Sequence, residues 1–123
     1  MENKVLEIKR DSRGDFIEVF KVVGFGQVSF CTAKPGVTRG EHYHTRKKET
    51  FCVIAGEAII RQRDKSTGTI EEKKVSGESP ELVEMKINWP HSIKNIGDNE
   101  MKFIIWISEI YDPNDPDTYP EKV

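Results

Sequence analysis

The chain has 123 residues, with 19 Lys and Arg against 21 Asp and Glu. That size points to one domain, with room for a single barrel core but not for a barrel plus a dinucleotide-binding domain. The near-balanced charge argues against a nucleic-acid-coating surface. The first residues lack the apolar core of a signal peptide, and no run approaches membrane-span length, so a cytoplasmic protein without membrane contact is expected. Cys31 and Cys52 are too few and too far apart for a disulfide scaffold and read as small buried or interfacial hydrophobes.

Val5–Lys9 is a short strand candidate, and Asp11–Asp15 a turn around Gly14. Phe16–Val23 and Gln27–Ala33 alternate as strands, broken by Gly24-Phe25-Gly26. Pro35-Gly36 and Arg39-Gly40 lead into a strand carrying His42 and His44. Glu49–Ala55 follows, then a tight turn at Gly56-Glu57 and a strand over Ala58–Arg63. A polar hairpin loop, Asp64–Gly68, precedes Thr69–Val75, and Ser76–Pro80 is a further loop. Glu81–Ile87 alternates, His91–Asn95 is short, and Met101–Ile110 is apolar enough to be buried on both faces. Residues 111–123 read as an irregular arm, because Pro113, Pro116 and Pro120 oppose regular structure, while its two tyrosines point to order. About nine to eleven short strands with regular turn signals predict an all-β sandwich or barrel.

The chemistry concentrates in two segments. His42 and His44, one residue apart on a strand, present both imidazoles to one face and turn Tyr43 away. A strand folded back after Thr45–Lys48 brings Glu49 beside them, and His91 must arrive from a distant strand. Three imidazoles and a carboxylate with room for water suit a catalytic divalent metal.

The spacing Gly36, His42, His44, Glu49, Gly56 resembles the first motif of the cupin superfamily. Its second motif is matched by Ile87–Asn95, with His91 and Asn95 in place, Ile87 in place of a proline and Asn88 in place of a glycine. Asn tolerates φ > 0 best after Gly, so that turn can form. Further pieces resemble the C-terminal cupin domain of CapF/WbjC-type capsular-polysaccharide biosynthesis proteins: Asp11–Gly14, Gly26–Phe30, Lys34–Gly40, Ala55–Arg61, Lys74–Gly77 and the tail Asp112–Tyr119. The family commonly has a further His where this chain has Thr45, and a lysine at Lys47.

The resemblance implies a cupin double-stranded β-helix (jelly-roll) barrel over residues 1–123. It also implies a metal site at His42, His44, Glu49 and His91, with zinc expected and iron, manganese or nickel as alternatives. The implied activity is epimerisation or isomerisation of a nucleotide-activated 4-keto-6-deoxy-hexosamine for a surface polysaccharide. A metal polarising the C4 carbonyl would acidify the neighbouring C–H, with Glu49 or Lys47 as base. Arg13 and Arg61 are candidates for a diphosphate, and Trp89 for stacking on uracil or sugar. Because no segment resembles the family's reductase domain, a separate reductase is the expected partner. A homodimer is also expected, through an edge or outer face at Val5–Ile8 and Met101–Ile110. An Fe(II) cupin dioxygenase and a non-enzymatic sugar- or metabolite-binding cupin remain the alternatives.

Overall fold

Glu49–Ala55 (β5) and Met101–Ile107 (β10) pair antiparallel, and their alternation sets the interior. Phe51, Val53, Met101 and Phe103 point inward, and Thr50, Cys52, Lys102 and Ile104 point outward. In this computed structural model, which describes residues 2–123, the remaining strands are Lys9–Asp11 (β1), Gly14–Val22 (β2), Gly26–Ala33 (β3), Thr38–Tyr43 (β4), Glu57–Arg63 (β6), Ile70–Ser76 (β7), Val83–Met85 (β8), His91–Asn95 (β9) and Tyr119–Pro120 (β11). They form two antiparallel sheets, ordered β1-β2-β3-β10-β5-β8 and β11-β4-β9-β6-β7. The two sheets enclose a jelly-roll barrel. Among the described residues no helix is long and apolar enough to cross a membrane.

The inner faces meet in a core of Cys31, Ala33, Phe51, Val53, Ala58, Ile60, Val75, Val83, Met85, Ile93, Met101 and Phe103. Asn95 locks the barrel from within. Its amide donates to the carbonyls of Ala33 at 2.9 Å and Asn99 at 2.8 Å, and its oxygen accepts from the Gly97 N–H at 2.9 Å. The second-motif asparagine is thus a structural clamp between strands that neither neighbour in sequence could reach. Asn88 takes the turn conformation expected of it, with φ of 67°, and its N–H donates to the His44 carbonyl at 2.7 Å.

Four expectations are corrected. Residues 5–8 are exposed and outside any strand, because Leu6 and Ile8 find no sheet to pack on, and the first strand begins at Lys9. The strand foreseen over Glu81–Ile87 is only Val83–Met85, the part that reaches β5. The strand from Met101 ends at Ile107 and is not buried on both faces, since Ile104 is 37% exposed on the outer side of the sheet. The arm is not wholly irregular: Tyr119 and Pro120 pair with Tyr43 and His42. An edge position tolerates the missing proline N–H.

Phe103 is 1% exposed and touches Phe51 ring to ring at 5.5 Å. Phe103→Ala is expected to cost about 3–5 kcal/mol of unfolding free energy, read as a lower urea midpoint with an unchanged slope.

Candidate metal centre

A bulge builds the site. Glu41 sits at φ 60° and Gly40 at φ 88°, and the β4–β9 register slips between Gly40 and His42. Arg39 therefore opposes Ile93 and His42 opposes His91, so residues three apart in sequence share the inner face. A Cβ on Gly40 would stand 3.1 Å from the His91 carbonyl oxygen and 3.4 Å from its ring, on a backbone that side chains rarely adopt. His44 follows β4 directly, Glu49 opens β5, and His91 opens β9.

One ligand atom from each of His42, His44, Glu49 and His91 lies within 4.8 Å of all the others. Ring centroids are 4.9 Å apart for His42–His44, 4.7 Å for His42–His91 and 5.7 Å for His44–His91. Glu49 Oε1 stands 3.1 Å from His44 Nε2 and 3.0 Å from His91 Nε2. Phe51 closes the inner side, edge-on to His91 at 5.6 Å. His42, His44 and Glu49 line a cavity of about 540 Å³, whose wall also includes Gln27, Ser29, Arg39, Ile93, Phe103 and Tyr111, while His91 is buried at 1% exposure and is not among the described residues that line it.

The donor set fits a divalent cation. The Asp117 carbonyl, 2.7 Å from His44 Nδ1, can only accept, so that nitrogen carries the proton. In the neutral ring the Nε2 lone pair then faces the Glu49 carboxylate, an arrangement that calls for a proton or a metal between them. His91 Nε2 is buried and close to the same oxygen, yet is not aligned for a hydrogen bond. Electrostatics agree. Burial and the neighbouring His91 push His42 down to about 4, which keeps it a neutral ligand. Burial opposes charge on His44, but the hydrogen bond and charge of Glu49 and the contacts with Asp117 together outweigh it and raise the pKa. Burial likewise disfavours the Glu49 carboxylate, and the His44 contact together with the adjacent His91 imidazole more than reverses this, holding its pKa well below the usual carboxylate range.

Residues 9–119 match the polysaccharide biosynthesis C-terminal domain family. The chain belongs to that family. This polysaccharide biosynthesis C-terminal domain is 46% identical over 109 residues to the UDP-2-acetamido-2,6-beta-L-arabino-hexul-4-ose reductase of Pseudomonas aeruginosa, which covers 89% of this chain but 29% of that protein. The capsular polysaccharide assembling protein CapF of Staphylococcus aureus superposes with a TM-score of 0.95 at 41% identity, over 98% of this chain and 35% of that one. The domain therefore spans about a third of the length of these relatives. An oxalate decarboxylase of Bacillus subtilis, 20% identical, aligns over 93% of this chain and 30% of its own with a TM-score of 0.76. That likeness establishes the fold, and the domain is a cupin jelly roll of the CapF C-terminal kind.

The structure brings His42, His44, Glu49 and His91 of this domain together, and places the other candidates differently. Arg13 lines the cavity mouth, held by Asp11 at 2.7 Å. Lys9 and Arg10 nearby are also paired, with Glu18 at 3.1 Å and Asp15 at 3.3 Å, so the mouth is charge-balanced. Arg61 lies between inward-facing Ile60 and Gln62 and therefore faces out of the barrel. Its Nε is 3.0 Å from Glu72 Oε1, without hydrogen-bond alignment. Trp89 lies in the loop before β9 beneath Lys86, whose Nζ is 4.3 Å from the ring centre. Neither Arg61 nor Trp89 is among the described residues that line the cavity. Lys47 is 2% exposed, and its Nζ lies 5.6 Å from the Tyr111 ring centre without a hydrogen-bond partner among the described residues. Tyr43 turns away from the cluster, as alternation requires, and stacks on Tyr119 at 5.2 Å.

Two residues of the site escaped the sequence reading. Arg39 is buried and donates to the carbonyls of Thr32 at 2.9 Å and Asp15 at 3.2 Å. Its inward direction follows from the bulge, which strict alternation hides. Asp117 was legible only as part of an ordered arm, although the tail's match to the family was a signal.

A proton on His44 competes with a metal at Nε2. Zinc affinity is expected to rise with pH through the elevated His44 titration and to fall as pH drops, with His42 competing only near pH 4. Competition with a chromophoric chelator from about pH 5 to about pH 9 measures this, and His91→Ala should weaken zinc at least about 100-fold.

Proposed function

We propose that this domain is a metal-dependent epimerase or isomerase of a nucleotide-activated 4-keto-6-deoxy-hexosamine, working in surface-polysaccharide biosynthesis. The observation that carries this reading is the convergence of three imidazoles and one carboxylate, of which His42, His44 and Glu49 line a cavity large enough for a sugar. It is supported by similarity to a reductase named for a UDP-linked hexulose and to a capsular polysaccharide assembling protein.

His42, His44, Glu49 and His91 would hold the ion, with zinc as the favoured metal. When bound, a divalent ion supplies Lewis-acid stabilisation to the oxygen of an enolate. The chain supplies the rest. The carbon next to the ketone gives its proton to a base, and the same base or a second donor returns it. Return to the opposite face gives the epimer, and return at the other enediol carbon gives the isomer. Glu49 and Lys47 are the two proton carriers proposed. Glu49 lines the cavity, and both of its imidazole contacts use Oε1, leaving Oε2 for this role. Lys47 stands behind Tyr111, itself a wall of the cavity. Phe51, Ile93 and Phe103 give the inner end an apolar floor that keeps water from the enolate. Arg13 at the mouth is the diphosphate contact favoured here, by exchange of its Asp11 partner for phosphate.

The reading includes a separate reductase for the ketone and a homodimer. Supporting the dimer, the outer face of the six-stranded sheet exposes Phe20 at 51% and also carries exposed Val22, Ile54 and Ile104 on three of its strands.

Proton exchange tests the chemistry directly. Zinc-loaded protein incubated in D₂O with a UDP-linked 4-keto-6-deoxy-hexosamine should lose the C3 or C5 proton signal by NMR. Glu49→Gln or Lys47→Met, whichever removes the base, should slow that loss about 10²- to 10⁴-fold. A metal-loaded protein that leaves every carbon-bound proton in place would overturn the assignment.

A further inference from the structure

The C-terminal arm reaches back to the metal cluster at one residue. Asp117 is 3% exposed and adopts φ 46°, a left-handed conformation that aspartate tolerates better than most residues. Its carboxylate accepts from three consecutive backbone N–H groups, Thr45 at 3.1 Å, Arg46 at 2.8 Å and Lys47 at 2.9 Å, and from the Thr45 hydroxyl at 2.5 Å. Those residues form the turn that separates two ligands, His44 and Glu49. Its backbone carbonyl accepts from His44 Nδ1–H at 2.7 Å. One residue therefore sets the width of the turn between His44 and Glu49 and the tautomer of His44.

The rest of the arm fastens Asp117 in place. Arg46 reaches Glu109 at 2.7 Å and Asp115 at 3.2 Å. Tyr119 stacks on Tyr43, the Glu121 N–H donates to the Glu41 carbonyl at 2.9 Å, and Arg63 pairs with Glu121. These contacts hold the ligand strand β4 at the bulge at Glu41 and at the turn after Tyr43.

We infer that Asp117 is a positioning residue for the metal centre, and that docking of the C-terminal arm and metal binding are coupled through it. This rests on the metal-binding reading above and goes beyond it. A docked arm keeps the His44 Nδ1–H on the Asp117 carbonyl and so aims Nε2 at the cluster. Undocking frees the ring to rotate and lets the turn spread. By linkage, an ion that draws His44 and Glu49 together must in turn tighten the Asp117 hydrogen bonds. A hydrogen-bond partner to a ligand imidazole is worth about 10–100-fold in metal affinity.

The test uses the full chain with zinc and, separately, cobalt. Asp117→Ala should weaken both by about 10–100-fold in chelator competition and alter the visible spectrum of bound cobalt. Asp117→Asn, which keeps one acceptor oxygen and tolerates the backbone angle, should recover part of the loss. In the wild type, zinc should slow amide hydrogen exchange at Thr45–Lys47 and in the arm around Glu121, and a chelator should reverse this. A folded Asp117→Ala protein with wild-type affinity and spectrum would overturn the inference. So would a wild type that binds zinc with unchanged exchange at those amides, a measurement that stands even where the variant does not fold. A wild type that binds neither metal would remove the metal reading, and the coupling with it.

Discussion

A buried carboxylate between two imidazoles governs this molecule. Glu49 Oε1 lies about 3 Å from the Nε2 atoms of both His44 and His91, in a site closed by Phe51. An ionised carboxylate taken out of water is costly unless positive charge or donors meet it. The bulge at Glu41, the conformation of Gly40 and the turn held by Asp117 all direct groups toward that one oxygen. The jelly roll is the frame that lets strands 42 residues apart in sequence, those of Glu49 and His91, face each other across a few ångströms.

The two ends of the barrel divide its work. One end is a dry core of aliphatic side chains and two phenylalanines, clamped by Asn95. The other keeps polar groups, and nearly all of them are spoken for: Gln27 donates to Ser29 and accepts from the Tyr111 N–H, and Arg39 serves two carbonyls. Among the described residues, His91 Nε2 and Lys47 Nζ are buried there without a hydrogen bond, the latter near Tyr111. Burying a polar group without a partner carries a desolvation cost. The mouth, by contrast, pairs Lys9, Arg10 and Arg13 with Glu18, Asp15 and Asp11.

Much of this was readable along the chain because it is local. His42 and His44 share a face by strand period, Cys52 points away from Glu49 for the same reason, and Asn88 accepts the positive φ that its turn requires. The inward run Ala58, Ile60 and Gln62 likewise turns Arg61 outward. Trp89 belongs to a loop, where period gives no direction.

What alternation could not supply was anything that crosses a bulge or arrives from far away. Glu41 resets the period, so Arg39 and His42 face inward together. Asp117 meets a turn some seventy residues earlier, and no pattern in an acidic, proline-rich tail states which carboxylate will be buried. Side-chain direction within a strand depends on neighbours one and two positions away, so residue order suffices to specify it. Which distant groups close around an ion depends on register, bulges and the path of the arm, and those are settled when the two sheets pack.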